Sequence, residues 1–199
     1  MVVESYRRKL PHIHPPDAVL FITFRLKDTI PKSLLLELSK VVNKESLENN
    51  VTKHRIELEK KELNDSIEEI LDTAQYGESF LKQPGIAKIV MDALHYLDGK
   101  DFKLIRYCVM SNHVHLIAYK FQRPVHNIMK SLKTFTAHQI NEKLNRKGRL
   151  WQREYYDRVV RDRNDLSTKI DYVLNNPVKI HLVHHWKEYP FSWVREGFK

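Results

Sequence analysis

The chain lacks the features that would place it in several large classes of protein. It has one cysteine, Cys108, in 199 residues, so no internal disulfide can form. Cys108 falls in an apolar strand pattern and reads as a small buried hydrophobe, which suits a reducing, cytoplasmic setting. No apolar run approaches the ~18 residues that read as a membrane-spanning helix. The N-terminal stretch MVVESYRRKLPHIHPP has no apolar signal core, so export is not expected. There is no His-Glu-x-x-His and no set of cysteine ligands, which weighs against a zinc hydrolase. Internal repeats and low-complexity linkers are missing too.

What the chain does have is positive charge. Lys plus Arg outnumber Asp plus Glu by 34 to 25, a net charge of +9. Such a balance points to a polyanion, with nucleic acid first and an anionic membrane surface second. At 42% hydrophobic and 30% charged, the composition fits one globular domain with room for an insertion.

Residues 18–26, AVLFITFRL, read as a strand of β-branched and aromatic side chains. Pro31 opens a helix over 31–42. Residues 44–74 place Leu47, Val51, Leu58, Leu63, Ile67, Ile70 and Leu71 at roughly helical intervals among Glu and Lys. One or two exposed helices are expected there, their charges forming a solvated face. Pro84, an apolar stripe and Gly99 define a helix over 84–98. Two strands follow, 102–109 and 112–119, joined as a hairpin by Met110-Ser111. A long helix with a basic exterior runs from Pro124 to about Lys147. The segment 149–162 is partly extended, and a last helix covers about 165–176, stopping at Pro177. The order suits an α+β fold: an antiparallel sheet with helices mainly on one face.

Chemistry concentrates in MSNHVHLIAY (110–119). Alternate strand residues share a face, so His113 and His115 point the same way, about 6.6 Å apart along the strand. Val114, Leu116 and Ala118 point to the other side and suffice to bury the strand. Two imidazoles so placed can converge on one cation, although an isolated His-x-His is more often a pair of ordinary buried rings. His12-Ile13-His14 and His184-His185 lack the one-sided apolar alternation and are set aside as catalytic candidates. Contact with phosphate stays open for both.

A third group lies on the last helix. Leu166, Ile170, Val173 and Leu174 make its apolar stripe, and Tyr172 falls well off it, near Asp165, Lys169 and Asn176. A tyrosine is thus kept off the core side, beside a lysine and an amide.

These residues sit in stretches with a familiar order: LPHIHPPDAVLFITFRL, QYGESFLKQPGIAKIVMDAL, VMSNHVHLI, SLKTFTAHQIN, LWQREYYDRVVRD, IDYVLNNPVKIHLV and YPFSW. The chain resembles the REP-associated tyrosine transposases, a branch of the single-tyrosine HUH transposases. The likeness spans nearly the whole length. Ser111 stands where many members carry proline, and 44–72 is the least family-like stretch, free to vary.

The resemblance implies a ferredoxin-like or RRM-like sheet. It implies one HUH transposase domain over 1–199, with a helical insertion at about 31–98. It implies that His113, His115 and Asn176 hold a divalent cation, Mg²⁺ or Mn²⁺, and that Tyr172 is a nucleophile forming a 5′-phosphotyrosine. The partner it implies is single-stranded or hairpin DNA with repeat-like ends. It leaves open both a homodimer that exchanges the tyrosine helix and a chain that completes its own site. Candidates to hold the DNA are Arg149, Arg153, Arg158, Arg161, Lys169, Lys179, Lys130 and Lys133, with Trp151, Tyr155 and Tyr156 as stacking platforms. For Trp151 core packing is the better bet, and Arg158 can equally be half of an ion pair with Asp162. Rivals are a non-catalytic nucleic-acid binder on an RRM-like sheet and an HUH nickase of replication or conjugation.

Overall fold

The structure is a computed structural model that describes residues 4–7, 11–15, 17–45 and 50–198. Leu47 and Pro16 lie outside the described residues, as do the side chains of His12, His14 and Val51. The elements, in chain order, are strands β1 (Glu4–Arg7), β2 (Pro11–His14) and β3 (Leu20–Arg25), then helices α1 (Lys32–Glu45), α2 (Asn50–Thr73) and α3 (Pro84–Leu97). Strands β4 (Lys103–Val109) and β5 (His113–Tyr119) precede α4 (Val125–Lys143), β6 (Tyr156–Val159), α5 (Arg163–Lys179) and β7 (Ser192–Val194).

Five strands form one antiparallel sheet in the order β6-β3-β5-β4-β7. Without β7 this is a β-α-β-β-α-β unit built from β3, α3, β4, β5, α4 and β6, the ferredoxin-like arrangement. The α1–α2 segment is inserted between β3 and α3. A separate two-stranded ribbon pairs β1 with β2.

The strand pattern decides the layers. Leu20, Ile22 and Phe24 of β3 and Val114, Leu116 and Ala118 of β5 face α3 and α4, forming the larger core. Helix α3 contributes Ile86, Ala87, Val90, Ala93, Leu94 and Leu97 to it, a stripe at helical spacing that starts directly after Pro84. On the other face Phe21, Ile105, Cys108 and Ile117 pack against Ile170, Val173 and Leu174 of α5. A bulge at Ile105 shifts the register between Leu104 and Arg106.

Two boundaries differ from the sequence reading. Helix α4 ends at Lys143, and Asn145 turns left-handed (φ 47°) before the chain reaches Gly148. Helix α5 does not stop before Pro177 but continues through it to Lys179. The missing proline N–H costs one hydrogen bond near the helix end, and burial of Asn176 and Pro177 keeps the turn helical. The ribbon and β7 were not legible in the sequence, being only four and three residues per strand.

The end of α2 is tied close to the sheet. Gly77, in the left-handed region (φ 70°), passes so near the loop after β3 that a Cβ there would lie 2.9 Å from the Asp28 carbonyl oxygen. This brings the last turns of α2 over the face that also carries α5.

Candidate metal and tyrosine site

β5 is the central strand, so its residues are buried on both sides. His113 and His115 are both fully buried on the α5 face. Each ring is held from behind. His113 Nδ1 lies 2.7 Å from Asn112 Oδ1, and His115 Nδ1 lies 2.9 Å from Thr23 Oγ1 on the neighbouring strand. An amide oxygen can only accept, so His113 carries its proton on Nδ1 and turns the lone pair of Nε2 outward. Such backing is the usual way a metal-ligating imidazole is oriented.

The two Nε2 atoms then face each other at 3.0 Å. Burial pushes the His113 imidazole down to about 3, helped by the nearby Arg25 guanidinium. It pushes His115 well below the usual range as well, with His113, Lys169 and Lys179 acting in the same direction. Both rings are therefore neutral near pH 7, and the lone pair of His113 Nε2 faces His115 Nε2. Nitrogen ligands 3.0 Å apart match neighbouring corners of an octahedral shell with bonds of about 2.1 Å.

The last helix supplies Asn176, 1% exposed, with Nδ2 3.1 Å from His115 Nε2. One turn earlier Tyr172 lays its ring against His115, with centroids 5.3 Å apart at 72°, and against Phe21 at 6.0 Å. Its wheel position off the apolar stripe, predicted from sequence, is what brings it here. The tyrosine and the histidines belong to one chain, so a single copy assembles the cluster.

Helix α2 corrects the sequence reading of the 44–74 charge run as a solvated face. Glu68 and Asp72, one turn apart, reach into the site. Tyr172 Oη donates to Glu68 Oε2 at 2.6 Å, and Lys179 Nζ donates to Asp72 Oδ2 at 2.9 Å. Glu68 Oε2 is 3.6 Å from His115 Nε2, and Asp72 Oδ1 is 3.9 Å from His113 Nε2. Burial raises the Glu68 carboxyl to about 7, partly opposed by the Tyr172 hydrogen bond. Burial raises Asp72 too, against the pull of Lys179. The Tyr172 phenol is pushed up first by burial and then by the Glu68 carboxylate. Nothing in the sequence separates this Glu–Asp pair from the many other i, i+4 acidic pairs of a charged helix. Only the tertiary placement of α2 does.

Glu68, Asp72, His113 and His115 form a group whose ligand atoms lie within 4.8 Å of one another. The donors fit a divalent cation. Neutral imidazoles and carboxylates suit Mg²⁺, Mn²⁺ or similar ions. Asp72 Oδ1 and Asn176 Oδ1 are buried without a hydrogen-bond partner among the described residues, so both oxygens are available to a cation.

The remaining sequence candidates scatter. Trp151 is 3% exposed, packs on Phe24 at 4.9 Å and donates Nε1–H to Thr136 Oγ1 at 2.9 Å. Tyr155 is buried in the same core. Neither offers a ring face to a base: Trp151 packs in the core, as the favoured reading had it, and the reading of Tyr155 as a stacking platform is corrected. Arg158 is half-buried and paired with Asp165 at 2.9 Å, not with Asp162, which instead caps α5 by accepting from the Asp165 N–H. Lys169 sits over the rings of Phe21 and Tyr172, 4.9 and 5.4 Å from their centroids. Arg149, Arg153, Arg161 and Lys130 are exposed. Lys133 donates to the Arg153 carbonyl at 2.8 Å, and with Lys130 it rides on α4, in the layer across the sheet from Tyr172. His185 caps a short 3-10 turn through Nδ1, far from the histidine pair in role.

A ferredoxin-like sheet with a central His-x-His strand, facing a tyrosine on the closing helix, defines a class: a protein with a candidate metal site built beside a tyrosine hydroxyl. Residues 73–176, more than half the chain, match the family model described as IS200-like transposase, and the chain belongs to that family. A REP-associated tyrosine transposase of Haemophilus influenzae is 28% identical over 112 residues, which cover 49% of this chain. The match spans 62% of that relative's length. A solved structure of a REP-associated tyrosine transposase bound to a REP hairpin superposes with a TM-score of 0.55 at 16% identity, covering 95% of this chain and 81% of the other. That likeness is one of fold. Glu68 and Asp72 lie just before the span that matches the family model. Among the described residues no helix is long and apolar enough to cross a membrane.

Proposed function

We propose that the protein is a divalent-metal-dependent transposase that cuts and rejoins single-stranded DNA at hairpin or repeat-like ends through a 5′-phosphotyrosine. One observation carries this reading: two neutral, back-braced imidazoles meet at 3.0 Å directly beside the Tyr172 ring of the same chain.

His113, His115, Asp72 and Asn176 would hold the cation, Mg²⁺ or Mn²⁺. When bound, it supplies positive charge to offset the charge that builds on the scissile phosphate. Tyr172 Oη makes the new bond to phosphorus in line with the bond that breaks. The departing oxygen becomes a 3′-hydroxyl, gaining one proton for the one the phenol loses. A 3′-hydroxyl from a second strand reverses the exchange, so the energy of the phosphodiester is conserved. Thr23 and Asn112 keep the imidazoles oriented throughout. Lys169, beside the ring, holds positive charge near the phenol as it ionises. Arg149, Arg153 and Arg161, which are exposed, remain the candidates to grip the DNA backbone. Because one chain completes the cluster, cleavage does not require the homodimer that the family resemblance leaves open.

The test is incubation of the full chain with end-labelled hairpin oligonucleotides and Mn²⁺, followed by denaturing electrophoresis. A protein–DNA adduct that disappears in Tyr172→Phe supports the reading. An adduct that persists in that variant overturns the nucleophile assignment. DNA binding with no adduct at any Mn²⁺ concentration favours the non-catalytic binder.

A further inference from the structure

We infer that Glu68, brought in by the inserted helix α2, is the residue that aims the Tyr172 hydroxyl. Its role is positioning, distinct from metal ligation, and the inference rests on the reading of Tyr172 as nucleophile.

The Tyr172 ring is fixed on its faces and edges. Phe21 meets it at 74°, His115 at 72°, and the Lys169 ammonium lies over it. Those contacts set the ring plane and leave the O–H free to rotate. Glu68 removes that freedom, since 2.6 Å is the range of a short hydrogen bond from a hydroxyl to a carboxylate. With the proton pointed at Glu68, the oxygen lone pairs face away from α2, toward the space where a phosphate would approach.

The contact belongs to a clasp. One turn along α2, Asp72 takes Lys179, which lies two turns along α5 from Tyr172. Two links in the same direction on both helices hold α2 alongside α5, so Glu68 cannot drift from the phenol. Asp65, on the same helix, adds negative charge that acts on Lys169. The division of labour follows from which oxygens are engaged. Glu68 Oε2 is committed to Tyr172, whereas Asp72 Oδ1 is buried with no partner and is the oxygen available to a cation.

The experiment compares the wild-type chain with Glu68→Ala, Glu68→Gln, Asp72→Asn and Tyr172→Phe. Three quantities are read: the single-turnover rate of adduct formation with a hairpin oligonucleotide, its half-saturating DNA concentration, and Mn²⁺ affinity by calorimetry. Glu68→Ala should slow the adduct step by about 100-fold, the scale of a misplaced reacting group, with DNA half-saturation unchanged and Mn²⁺ affinity falling far less than in Asp72→Asn. Glu68→Gln, which still accepts the hydroxyl proton in a hydrogen bond, should restore most of the rate. Asp72→Asn should weaken Mn²⁺. The inference is overturned if Glu68→Ala reacts at the wild-type rate, if Glu68→Gln is as slow as Glu68→Ala, or if Glu68→Ala loses Mn²⁺ as Asp72→Asn does. Proton NMR gives a readout independent of activity: a low-field, slowly exchanging hydroxyl signal that vanishes in both Glu68→Ala and Tyr172→Phe. If that signal behaves so but the wild type forms no adduct, the nucleophile reading fails while the contact stands. If no such signal exists in the wild type, the contact itself is refuted.

Discussion

Replacing Trp151 with phenylalanine separates a core residue from a DNA platform. The indole N–H donates to Thr136 Oγ1 at 2.9 Å, and the ring packs on Phe24 within the α3–α4 core. Losing that hydrogen bond is worth about 1 kcal/mol net, because Thr136 keeps its own bond to the Leu132 carbonyl at 2.8 Å. The half-ring removed leaves a void worth about 1–2 kcal/mol more. The sum, about 2–3 kcal/mol, lowers the melting temperature of a chain this size by roughly 5–10 °C. Thermal denaturation followed by circular dichroism measures it. Fluorescence anisotropy with a labelled hairpin oligonucleotide, well below the melting temperature, should give unchanged affinity. A melting temperature within a degree of wild type, with affinity down tenfold, would refute the placement and return Trp151 to the DNA surface.

Three further outcomes are expected. Asn112→Ala removes the oxygen that braces His113 Nδ1, and calorimetry should find Mn²⁺ affinity down by about 10–100-fold without loss of fold. Folding stability of the metal-free chain should respond to pH through His113. Its folded value near 3 lies below the unfolded 6.5, so its contribution is present above pH 6.5 and is lost as pH falls toward 3. Glu68, raised to about 7, acts in the opposite sense, so the comparison must be with His113→Asn. Between pH 6 and 4 the wild type should lose about 1.4 kcal/mol per pH unit more than the variant in urea titrations, and parallel curves would contradict a neutral buried ring. Arg106→Met should stabilise the chain by about 1–3 kcal/mol. The Arg106 guanidinium is fully buried, lacks a hydrogen-bond partner among the described residues, and is pushed down to about 10 by burial. A lower urea midpoint in that variant would show that the cation over the Trp186 ring is a net gain.

The parts of this site that obey a local period were legible in the sequence. Alternation in β5 put His113 and His115 on one face, and a helical wheel set Tyr172 and Asn176 apart from Ile170, Val173 and Leu174. Both periods survive because each face of the element packs against a different layer, apolar residues on one side and the polar cluster on the other. Pro177 misled because proline ends most helices, yet here packing of Asn176 and Pro177 holds the final turn. The aromatics at 151 and 155 could not be assigned from composition, since tryptophan and tyrosine flanked by arginine look alike whether they stack on bases or fill a core. Glu68 and Asp72 were invisible for a stronger reason. A carboxylate pair on a helix rich in Glu and Lys acquires meaning only when the chain folds that helix over a distant strand, and the pairing partners lie 104 and 107 residues away.

The central claim is that imidazoles from the middle of the sheet and groups from α2 and α5 surround one cation beside the tyrosine. Anomalous diffraction from crystals of the full chain grown with Mn²⁺ tests it directly. The expected result is one peak about 2.0–2.3 Å from both His113 Nε2 and His115 Nε2, with Asp72 and Asn176 oxygens completing the shell and Tyr172 Oη adjacent. Contradiction would be a Mn²⁺ peak elsewhere on the chain, or none between the two rings at millimolar Mn²⁺.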